Sequence, residues 1–396
     1  MLVNFSTIFT PALFTMIQSL FVSWIFLKLI CLSNPGFLSF IYISSGKSTT
    51  NARLLGGMSI SASMISSISS LIIFYRHSLS QYEINTLVTA IVSILFVTFY
   101  GYIDDKFEVR VRFKLALQLI SILSFAYFNA HNISPEHESL AFMFSSILGL
   151  ALVNGTNLLD GLDTLSIKLG MSSSIAFLYL GIISGSSATI YLSAILISAL
   201  SMFYFFNREP AKVYMGEIGG SLIGLIYFIQ SSICISHFKT QMSIYNAIAM
   251  VLIAGSFPIC ELGVSFIRRL LCKKTPFSGD KLHLHYIIKN KYRLSASTTS
   301  TRMGVTSFLI LSFGFLVAKS YNPILGLCSA VLITLQIYLW VCFEEWRSNL
   351  LIQNTENVFK IFEGKKVNII DSTQFSSFDI SLKEENRQKT SRKKSA

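Results

Sequence analysis

Carboxylates and side-chain amides stand at short, regular spacings beside long apolar segments of this chain. Asp104 and Asp105 are adjacent at the end of one such segment, and adjacent carboxylates suit Mg²⁺, a hard cation that takes oxygen ligands. A second polar series has members three positions apart: Asn154, Asn157, Asp160 and Asp163. On a helix or a tight turn, this spacing places them on one face. That face would offer carboxylates to a metal and amides to hydroxyl or base groups.

A third segment, residues 207–221, has a composition suited to binding phosphate. It contains Lys212, Tyr214 and Glu217 among several glycines. A glycine-containing loop that opens into a helix can approach a phosphate closely and donate backbone N–H groups to it. A tight packing turn is the simpler alternative, and the lysine and the carboxylate favour the functional interpretation.

The fourth segment is a long basic loop, residues 268–302. Within it His283 and His285 alternate as on the edge of a strand, so that both could face one ligand. Two histidines without cysteine or nearby carboxylate partners make a poor zinc site. Among so many cations, contact with phosphate or proton handling fits the pair better.

The elements that must position these residues are membrane-spanning helices. Of the 396 residues, 52% are hydrophobic and 13% charged, whereas a soluble domain carries about 25% charged residues. A spanning helix needs roughly 20 apolar residues. Eleven candidate segments cover residues 10–31, 55–75, 84–103, 115–131, 139–153, 169–185, 187–206, 220–237, 241–266, 303–318 and 322–343. The sequence therefore predicts an all-α integral membrane bundle of about eleven transmembrane helices in residues 1–343, followed by a polar, basic tail in residues 344–396.

The distribution of basic residues predicts the orientation of the bundle. One set of alternate connections carries eighteen Lys and Arg and the opposite set carries three, and an excess of basic residues marks the cytoplasmic side. The N-terminus is then outside and the C-terminus cytoplasmic. Nine of the twelve acidic residues before the tail lie on the cytoplasmic side: Asp104, Asp105, Glu108, Asp160, Asp163, Glu209, Glu217, Glu261 and Asp280. Carboxylates at membrane depth are costly and usually functional, and the net charge of +12 favours anionic partners.

Together and in this order, the four segments resemble the bacterial polyprenyl-phosphate N-acetylhexosamine-1-phosphate transferases (glycosyltransferase family 4), over roughly residues 45–300. That family has a DD pair, N-x-x-N-x-x-D-G-x-D-G-L, P-A-K-x-F-M-G-D-x-G-S and D-R-x-H-L-H-H. Here these patterns fall on residues 104–105, 154–165, 210–221 and 280–286. Gly56 and Gly57, after Lys47 and Arg53, resemble the family's P-x-x-G-G segment without its proline. The departures are Thr164 for Gly, Tyr214 for Phe, Glu217 and Glu261 for Asp, Lys281 for Arg and Tyr286 for the last His.

The resemblance implies transfer of N-acetylhexosamine-1-phosphate, first of all GlcNAc-1-phosphate, from a UDP-sugar to undecaprenyl phosphate with release of UMP. Such a step initiates a lipid-linked glycan such as O-antigen. The absence of three consecutive histidines argues against the peptidoglycan branch of the family. The expected partners are the UDP-sugar, undecaprenyl phosphate and membrane lipid, without nucleic acid, and a homodimer is left open. The expected location is the bacterial cytoplasmic (inner) membrane, with the active site facing the cytoplasm.

The resemblance also implies roles for individual residues. The catalytic group comprises Asp104, Asp105, Asp160, His283 and His285. The substrate-binding group comprises Lys114, Asn154, Asn157, Asp163, Lys212, Tyr214 and Lys281. Glu217 would hold Mg²⁺, with Mn²⁺ as an alternative, together with Asp104 or Asp105. In this assignment Asp163 meets the uracil edge and Tyr214 stacks on uracil.

Such a transfer can proceed by direct attack of the lipid phosphate or through a covalent aspartyl intermediate. Elementary acid–base chemistry favours one of these two routes. A phosphate monoester has its second pKa near ~6 and is mostly dianionic at neutral pH, so it hardly needs a base. An aspartate of pKa about 4 would be a feeble base. We therefore predict direct attack by the lipid phosphate rather than a covalent aspartyl intermediate.

Two other classes of protein remain as alternatives. A transporter would place ionisable residues in the middle of its spans, whereas here they cluster at span ends. A catalytically silent relative acting as an assembly scaffold is kept open by the substitutions at Glu217, Glu261 and Tyr286.

Overall fold

The computed structural model describes residues 5–32, 53–107, 109–276 and 280–364, with side chains described between residues 8 and 347 of those ranges. The helices are α1 (Phe5–Leu32), α2 (Gly56–Phe74), α3 (Gln81–Phe107), α4 (Val111–Ile133), α5 (Glu138–Leu158), α6 (Leu165–Ser184), α7 (Ser187–Asn207), α8 (Gly216–Phe238), α9 (Ile244–Ala254), α10 (Ser256–Leu271), α11 (Leu284–Lys291), α12 (Ala296–Ser320) and α13 (Pro323–Gly364). In these ranges the β-structure is one isolated bridge, between Arg53 and Val213. Lys47 and Glu108 lie outside the described residues.

Helix α8 is the centre of the bundle. The most apolar stretch of this helix is entirely buried. The helix packs against α2, α3, α4, α5, α6, α7 and α9. A helix that is apolar on all sides belongs in such a core. Small residues let its neighbours approach closely, as is usual between helices in lipid. A Cβ on Gly57 would overlap the backbone of Gly219, so α2 and α8 touch at two glycines.

The prediction of a polytopic helical membrane protein is confirmed. Among the described residues, ten helices are long and apolar enough to cross a membrane, and the bent pair α9–α10 makes an eleventh if it is one span. The predicted ninth span, 241–266, falls on the pair α9–α10, which is not one continuous helix but is bent by 80°. Pro258 stands in the first turn of α10, where its missing N–H costs nothing, whereas inside a continuous helix it would remove a hydrogen bond.

The connections that carry the polar motifs gather at one end of the bundle. Helices α3, α5, α7 and α10 end there, and α2, α4, α6, α8 and α12 begin there. The predicted strand-like alternation of the histidines is wrong, because His283 is the N-terminal cap of α11 and His285 lies in its first turn. Which side of the membrane this end faces stays a prediction from the basic loops.

The C-terminal helix continues beyond the predicted end of the last span. Helix α13 runs from Pro323 to Gly364, and its candidate membrane span is Pro323–Arg347. The chain divides into two compact units, Met1–Trp346 and Arg347–Ala396. The predicted boundary between residues 343 and 344, as a limit between a functional domain and a tail, stays a prediction.

Candidate active site

A cleft opens at the end of the bundle where the polar motifs gather. Its cavity has a volume of about 290 Å³. The polar residues that line it include Asp105, Asn157, Asp160, Asp163, Tyr214 and Glu217. These residues come from three of the four predicted segments and lie on α3, α5, the 159–164 loop, the 208–215 loop and α8. The fold therefore brings together carboxylates that are more than a hundred positions apart in the chain.

The carboxylate of Glu217, in the first turn of α8, accepts hydrogen bonds from two side chains. Lys114 Nζ donates to Glu217 Oε2, and Asn157 Nδ2 donates to the same oxygen at 2.6 Å. Lys114 Nζ also lies 3.3 Å from Asp104 Oδ2. Asp104 Oδ1 accepts a hydrogen bond from the N–H of Val109 at 2.8 Å. The ammonium of Lys114 therefore stands between two carboxylates that were predicted to bind a metal.

Asp105 holds the beginning of α8. Its Oδ1 accepts from the backbone N–H of Glu217 at 2.9 Å, which satisfies one of the free donors of the helix start. Its Oδ2 is buried and has no hydrogen-bond partner among the described residues. Gly216 has φ +72, and a Cβ there would lie 2.6 Å from Asp105 Oδ2. A glycine is therefore required for α8 to begin against this carboxylate, and one carboxylate oxygen remains available.

The 159–164 loop supplies the opposite wall of the cleft. Ser166 Oγ donates to Asp160 Oδ1 at 2.6 Å, and burial raises the pKa of Asp160 to about 6. Burial also raises the pKa of Asp163. The loop ends at Thr164, which has φ 62 and is followed by α6. The N–H of Thr164 donates to Asn207 Oδ1 at 2.7 Å, so the end of α7 fixes this left-handed turn.

Tyr214 reaches the cleft because the 208–215 loop pairs with the segment before α2. The N–H of Tyr214 donates to the carbonyl of Arg53 at 2.7 Å, and the carbonyl of Tyr214 accepts from Gly56 at 2.8 Å. The N–H of Gly57 donates to the carbonyl of Met215, also at 2.8 Å. The Gly56–Gly57 pair is thus used for backbone contact with the loop that carries the aromatic ring.

Behind the 159–164 loop lies a second polar group, which we call the buried ion network. It consists of Glu261, Arg268, Arg269, Asp280, His283 and Tyr338. The two terminal guanidinium nitrogens of Arg268, Nη1 and Nη2, each donate to Asp280 at 2.9 Å, and Arg269 Nε donates to Asp280 at 3.1 Å. Burial opposes ionisation of Asp280, but the hydrogen bonds from these two arginines hold its pKa well below the usual range. Glu261 is fully buried, bonds to His283 Nδ1 at 2.7 Å and accepts from Tyr338.

The histidines link the buried ion network to the 159–164 loop. The rings of His283 and His285 stack with an angle of 5° and centroids 5.7 Å apart. His285 is fully buried, and neither of its ring nitrogens has a hydrogen-bond partner within the described part of the chain. Burial lowers the pKa of His285 to about 4, so its ring is neutral at pH 7. A Cβ on Gly161 would overlap His285 Nε2, and Tyr286 Oη donates to the carbonyl of Gly161 at 3.1 Å.

Several predicted site residues lie outside the cleft wall. Asn154 Nδ2 donates to the carbonyl of Leu150 at 2.9 Å, within its own helix. Lys212 and Lys281 are exposed and do not line the cleft. Neither His283 nor His285 lines it. The predicted contacts of these residues with substrate stay predictions.

The donor set of the cleft fits a hard divalent cation. Asp105, Glu217 and Asn157 line the cleft. Asp104 does not line it, and is linked to Glu217 through Lys114. Carboxylate and amide oxygens of this kind suit Mg²⁺. The unpartnered Oδ2 of Asp105 is the clearest free ligand. Within the described residues, however, no group of three or more His, Cys, Asp or Glu side chains stands arranged as a metal site. The ammonium of Lys114 lies where two of these carboxylates converge.

Four residues that shape the site were not among the predicted functional residues. Ser166 bonds to Asp160, Asn207 lines the cleft and holds Thr164, and Arg269 and Tyr338 hold the buried ion network. Asn207 and Arg269 lie inside segments that the sequence singled out. Nothing in the sequence distinguishes Tyr338 from the other aromatic residues of its helix, since its partner Glu261 is 77 positions away.

Comparisons with known proteins agree with the motifs. Residues 87–235 match the model of glycosyl transferase family 4. A Bacillus subtilis (strain 168) protein named "Probable undecaprenyl-phosphate N-acetylglucosaminyl 1-phosphate transferase" is 28% identical over 240 residues, 58% of this chain and 64% of that protein. Proteins named undecaprenyl-phosphate alpha-N-acetylglucosaminyl 1-phosphate transferase are 28% identical over 197 residues in Thermotoga maritima and 27% over 254 residues in Salmonella typhi. These matches cover 48% and 59% of this chain.

The chain spans 58–64% of the length of these three relatives. The family match takes in α4, α5, α6 and α7 and most of α3 and α8, and it therefore includes Asp104, Asp105, Asn157, Asp160 and Glu217. The matched region thus contains most of the cleft as well as the central helix of the bundle. In its motifs, its helical membrane fold and these relatives, the chain is similar to glycosyl transferase family 4, whose model it matches over residues 87–235.

Proposed function

We propose that the protein transfers N-acetylhexosamine-1-phosphate, most simply GlcNAc-1-phosphate, from a UDP-sugar to undecaprenyl phosphate and releases UMP. The observation that carries this proposal is the convergence of Asp105, Asn157, Asp160, Asp163 and Glu217 on one cleft at the end of a membrane bundle. The names of the relatives support the same reaction class. The product would begin a lipid-linked glycan of the cell surface.

We propose that Asp104, Asp105 and Glu217 hold Mg²⁺, with Asn157 beside them. When bound, the cation neutralises the donor diphosphate and stabilises the charge that develops on the leaving UMP. The support for this assignment is the oxygen donor set, and above all the buried and unpartnered Oδ2 of Asp105. Glu217 stands where the resembled family has an aspartate, and from the first turn of α8 it lines the cleft.

The chain's own residues would bind and orient the donor. Tyr214, on the wall of the cleft, would stack on the uracil ring. Asp163 would accept hydrogen bonds from the uracil edge, and Asn157 would donate to a phosphate or sugar oxygen. Asp160, with its raised pKa, can hold a proton near neutral pH and donate to a phosphate oxygen, which an ionised carboxylate would repel.

We propose direct attack by the lipid phosphate. The acceptor is mostly dianionic at neutral pH, and Asp105 already uses one oxygen to hold the start of α8. Asp105 would therefore position the metal and the acceptor through its negative charge, and would not act as a nucleophile. A covalent intermediate makes the opposite prediction, since the protein would then retain labelled sugar-phosphate when incubated with the donor and no lipid acceptor.

The location of the cleft suggests how both substrates are reached. The end of the bundle that carries it also carries the basic connections, and basic connections mark the cytoplasmic side, where UDP-sugars are made. Lys212 and Lys281, exposed near that end, are suited to attract anions. Phosphate contact by His283 or His285 would require the 280–286 segment to move together with the 159–164 loop, because Gly161 lies against both His285 and Tyr286.

The test is release of UMP by the purified protein in nanodiscs. With undecaprenyl phosphate and Mg²⁺, we expect UMP from one or a few members of a UDP-sugar panel and none when the lipid or the metal is left out. The best donor in the panel identifies the sugar. A silent scaffold would release no UMP from any donor, and a transporter would instead move a solute across proteoliposomes.

A further inference from the structure

We infer that Lys114 competes with the divalent cation for the carboxylates of the cleft. In the metal-free protein its ammonium neutralises Asp104 and Glu217, and when a metal binds these carboxylates Lys114 turns toward the donor phosphates. This inference rests on the proposed function, because it concerns the metal that the function requires. It assigns two successive positions to one side chain.

The contacts of Lys114 place it at the centre of the acidic group. Its Nζ lies 3.3 Å from Asp104 Oδ2 and donates to Glu217 Oε2. The side chain of Lys114 is 16% exposed and that of Asp104 is 10% exposed, so water screens this interaction only in part. The two carboxylates come from different helices, α3 and α8, and Lys114 comes from a third, α4. One ammonium thus joins three elements at the cleft.

The backbone fixes the base of Lys114 rather than its tip. Asp104 Oδ1 accepts from the N–H of Val109, and the N–H of Lys114 donates to the carbonyl of Arg110 at 3.2 Å. Both bonds position the connection into α4. The lysine stem has four flexible carbons and three rotatable donors, so the ammonium can leave the carboxylates while the helix stays in place.

Electrostatic repulsion from a bound metal gives the reason why the ammonium of Lys114 should leave Asp104 and Glu217. Asp104 and Glu217 together carry two negative charges and Lys114 neutralises one of them, so the group keeps a net negative charge that favours a dication. A bound dication would repel an ammonium at the same distance, because like charges in a partly buried site are only weakly screened by water. A donor diphosphate beside the metal offers the displaced ammonium a new anionic partner.

The test compares metal binding in the wild type and in Lys114→Met, without any substrate. Mn²⁺, which can replace Mg²⁺ at such sites and is seen by electron paramagnetic resonance, is the probe. We expect Lys114→Met to bind Mn²⁺ more tightly, by on the order of tenfold or more, because the competing charge is gone. In EDTA the same variant should unfold at a lower temperature than the wild type, and Mn²⁺ should raise its midpoint by a larger amount.

Matched variants separate competition from a general effect of charge. Lys106→Met removes a lysine of α3 whose ammonium lies over the ring of Tyr102 and contacts its hydroxyl at 3.4 Å, so its Mn²⁺ affinity should stay close to that of the wild type. Lys114→Arg keeps the charge and should keep the wild-type affinity and the midpoint in EDTA. The arginine variant also shows whether position 114 tolerates substitution.

Several results would overturn the inference. Equal or weaker Mn²⁺ binding in Lys114→Met would mean that Lys114 does not compete with the metal, and so would a failure of both proteins to bind Mn²⁺. Tighter binding by both methionine variants would assign the effect to overall charge. Tighter Mn²⁺ binding by Lys114→Met alone, in a protein whose wild type releases no UMP, would support the competition and refute the proposed reaction, so the two proposals fail separately.

Discussion

The cleft and the buried ion network lie on opposite sides of the 159–164 loop and use carboxylates in opposite ways. In the buried ion network, Asp280 accepts three hydrogen bonds from two arginines, and Glu261 is held by His283, Ser265 and Tyr338. In the cleft, Asp105 keeps a buried oxygen without a partner among the described residues. Asp160 there accepts from one serine and has a raised pKa.

The difference separates groups that hold the structure from groups that are available to a ligand. A carboxylate whose lone pairs are all used cannot bind a metal or a nucleotide without losing its present bonds. A carboxylate that is buried and only partly bonded is costly in the free protein, and a ligand can recover that cost. The buried ion network should therefore govern stability and the cleft should govern binding and turnover.

The largest effect is expected on breaking the buried ion network. Asp280→Asn removes the negative charge between Arg268 and Arg269, and loss of one partner of a buried ion pair costs about 3–5 kcal/mol. The thermal unfolding midpoint of the purified protein should fall markedly. Glu138→Gln is the control, because the pair between Glu138 and His131 is exposed and exposed pairs contribute about 0–1 kcal/mol. Equal midpoints for the two variants would remove the distinction between the two regions.

Substitutions in the cleft should lower the rate of the reaction rather than the stability of the protein. Glu217→Gln keeps the length of the side chain and removes the charge, and we expect UMP release to fall by about 10²–10³-fold, as for loss of one key electrostatic contact at a reacting centre. Glu217→Asp should keep part of the turnover, since the charge is retained. The unfolding midpoint should change little in both. Unchanged Mg²⁺ dependence in Glu217→Gln would show that Glu217 is not a metal ligand.

The pH dependence of stability tests the role of Asp160, which lies in the loop between the two regions. Its pKa of about 6 in the folded protein exceeds the ordinary value of 3.8, so its contribution to stability is present at low pH and lost as pH rises through 6. Asp160→Asn removes that loss. Relative to the wild type, the variant should gain about 2 kcal/mol between pH 4 and pH 7.5, measured by unfolding at each pH.

Glu209→Gln provides the comparison for this pH series, because Glu209 is exposed and accepts from the N–H of Ser297 at 3.1 Å. Its stability relative to the wild type should stay constant over the same range. If the stability of Asp160→Asn relative to the wild type also stayed constant with pH, Asp160 would have an ordinary pKa. Its ionisation would then not destabilise the folded protein.

The smallest effect is expected at Thr164, where the loop enters α6. Thr164 has φ 62, a left-handed conformation that costs a residue with a Cβ roughly 1–2 kcal/mol. Thr164→Gly should therefore be more stable than Thr164→Ala by about 1 kcal/mol, after the greater freedom of glycine in the unfolded chain is subtracted. Midpoints in which alanine equals or exceeds glycine would show that the turn carries no backbone strain.

Much of the fold follows from the sequence because the membrane restricts the choices. A chain in lipid must satisfy its backbone hydrogen bonds within helices. The apolar segments of the sequence therefore predict the approximate number and positions of the spanning helices. Their ends were less predictable. The fifth span is longer than the predicted 139–153, since α5 runs from Glu138 to Leu158, and the ninth is bent at residues 254–256. Length and hydropathy do not register a bend that depends on one proline and its neighbours.

The candidate site was predictable only in part. The motifs and the family that they resemble placed Asp105, Asn157, Asp160, Asp163 and Glu217 in one site, and these five line the cleft, whereas Asn154, Lys212 and Lys281 do not. The catalytic and binding roles assigned to all of them stay predictions. The same reasoning put the two histidines beside the ligand, whereas the structure buries both behind the 159–164 loop. The two rings do lie together, stacked with centroids 5.7 Å apart. It is the packing of α11 against Gly161 that places them behind the loop, and no local pattern shows that packing.

The sequence by itself determined a helical membrane protein with its acidic and amide groups at the ends of neighbouring spans, because hydrophobicity and charge act on each segment independently. Only the tertiary structure decided which carboxylates are satisfied and which are free. That distinction depends on partners far along the chain, such as Tyr338 for Glu261 and Lys114 for Glu217. A pairing across 77 or 103 positions is fixed by how the helices pack, and no local pattern encodes it.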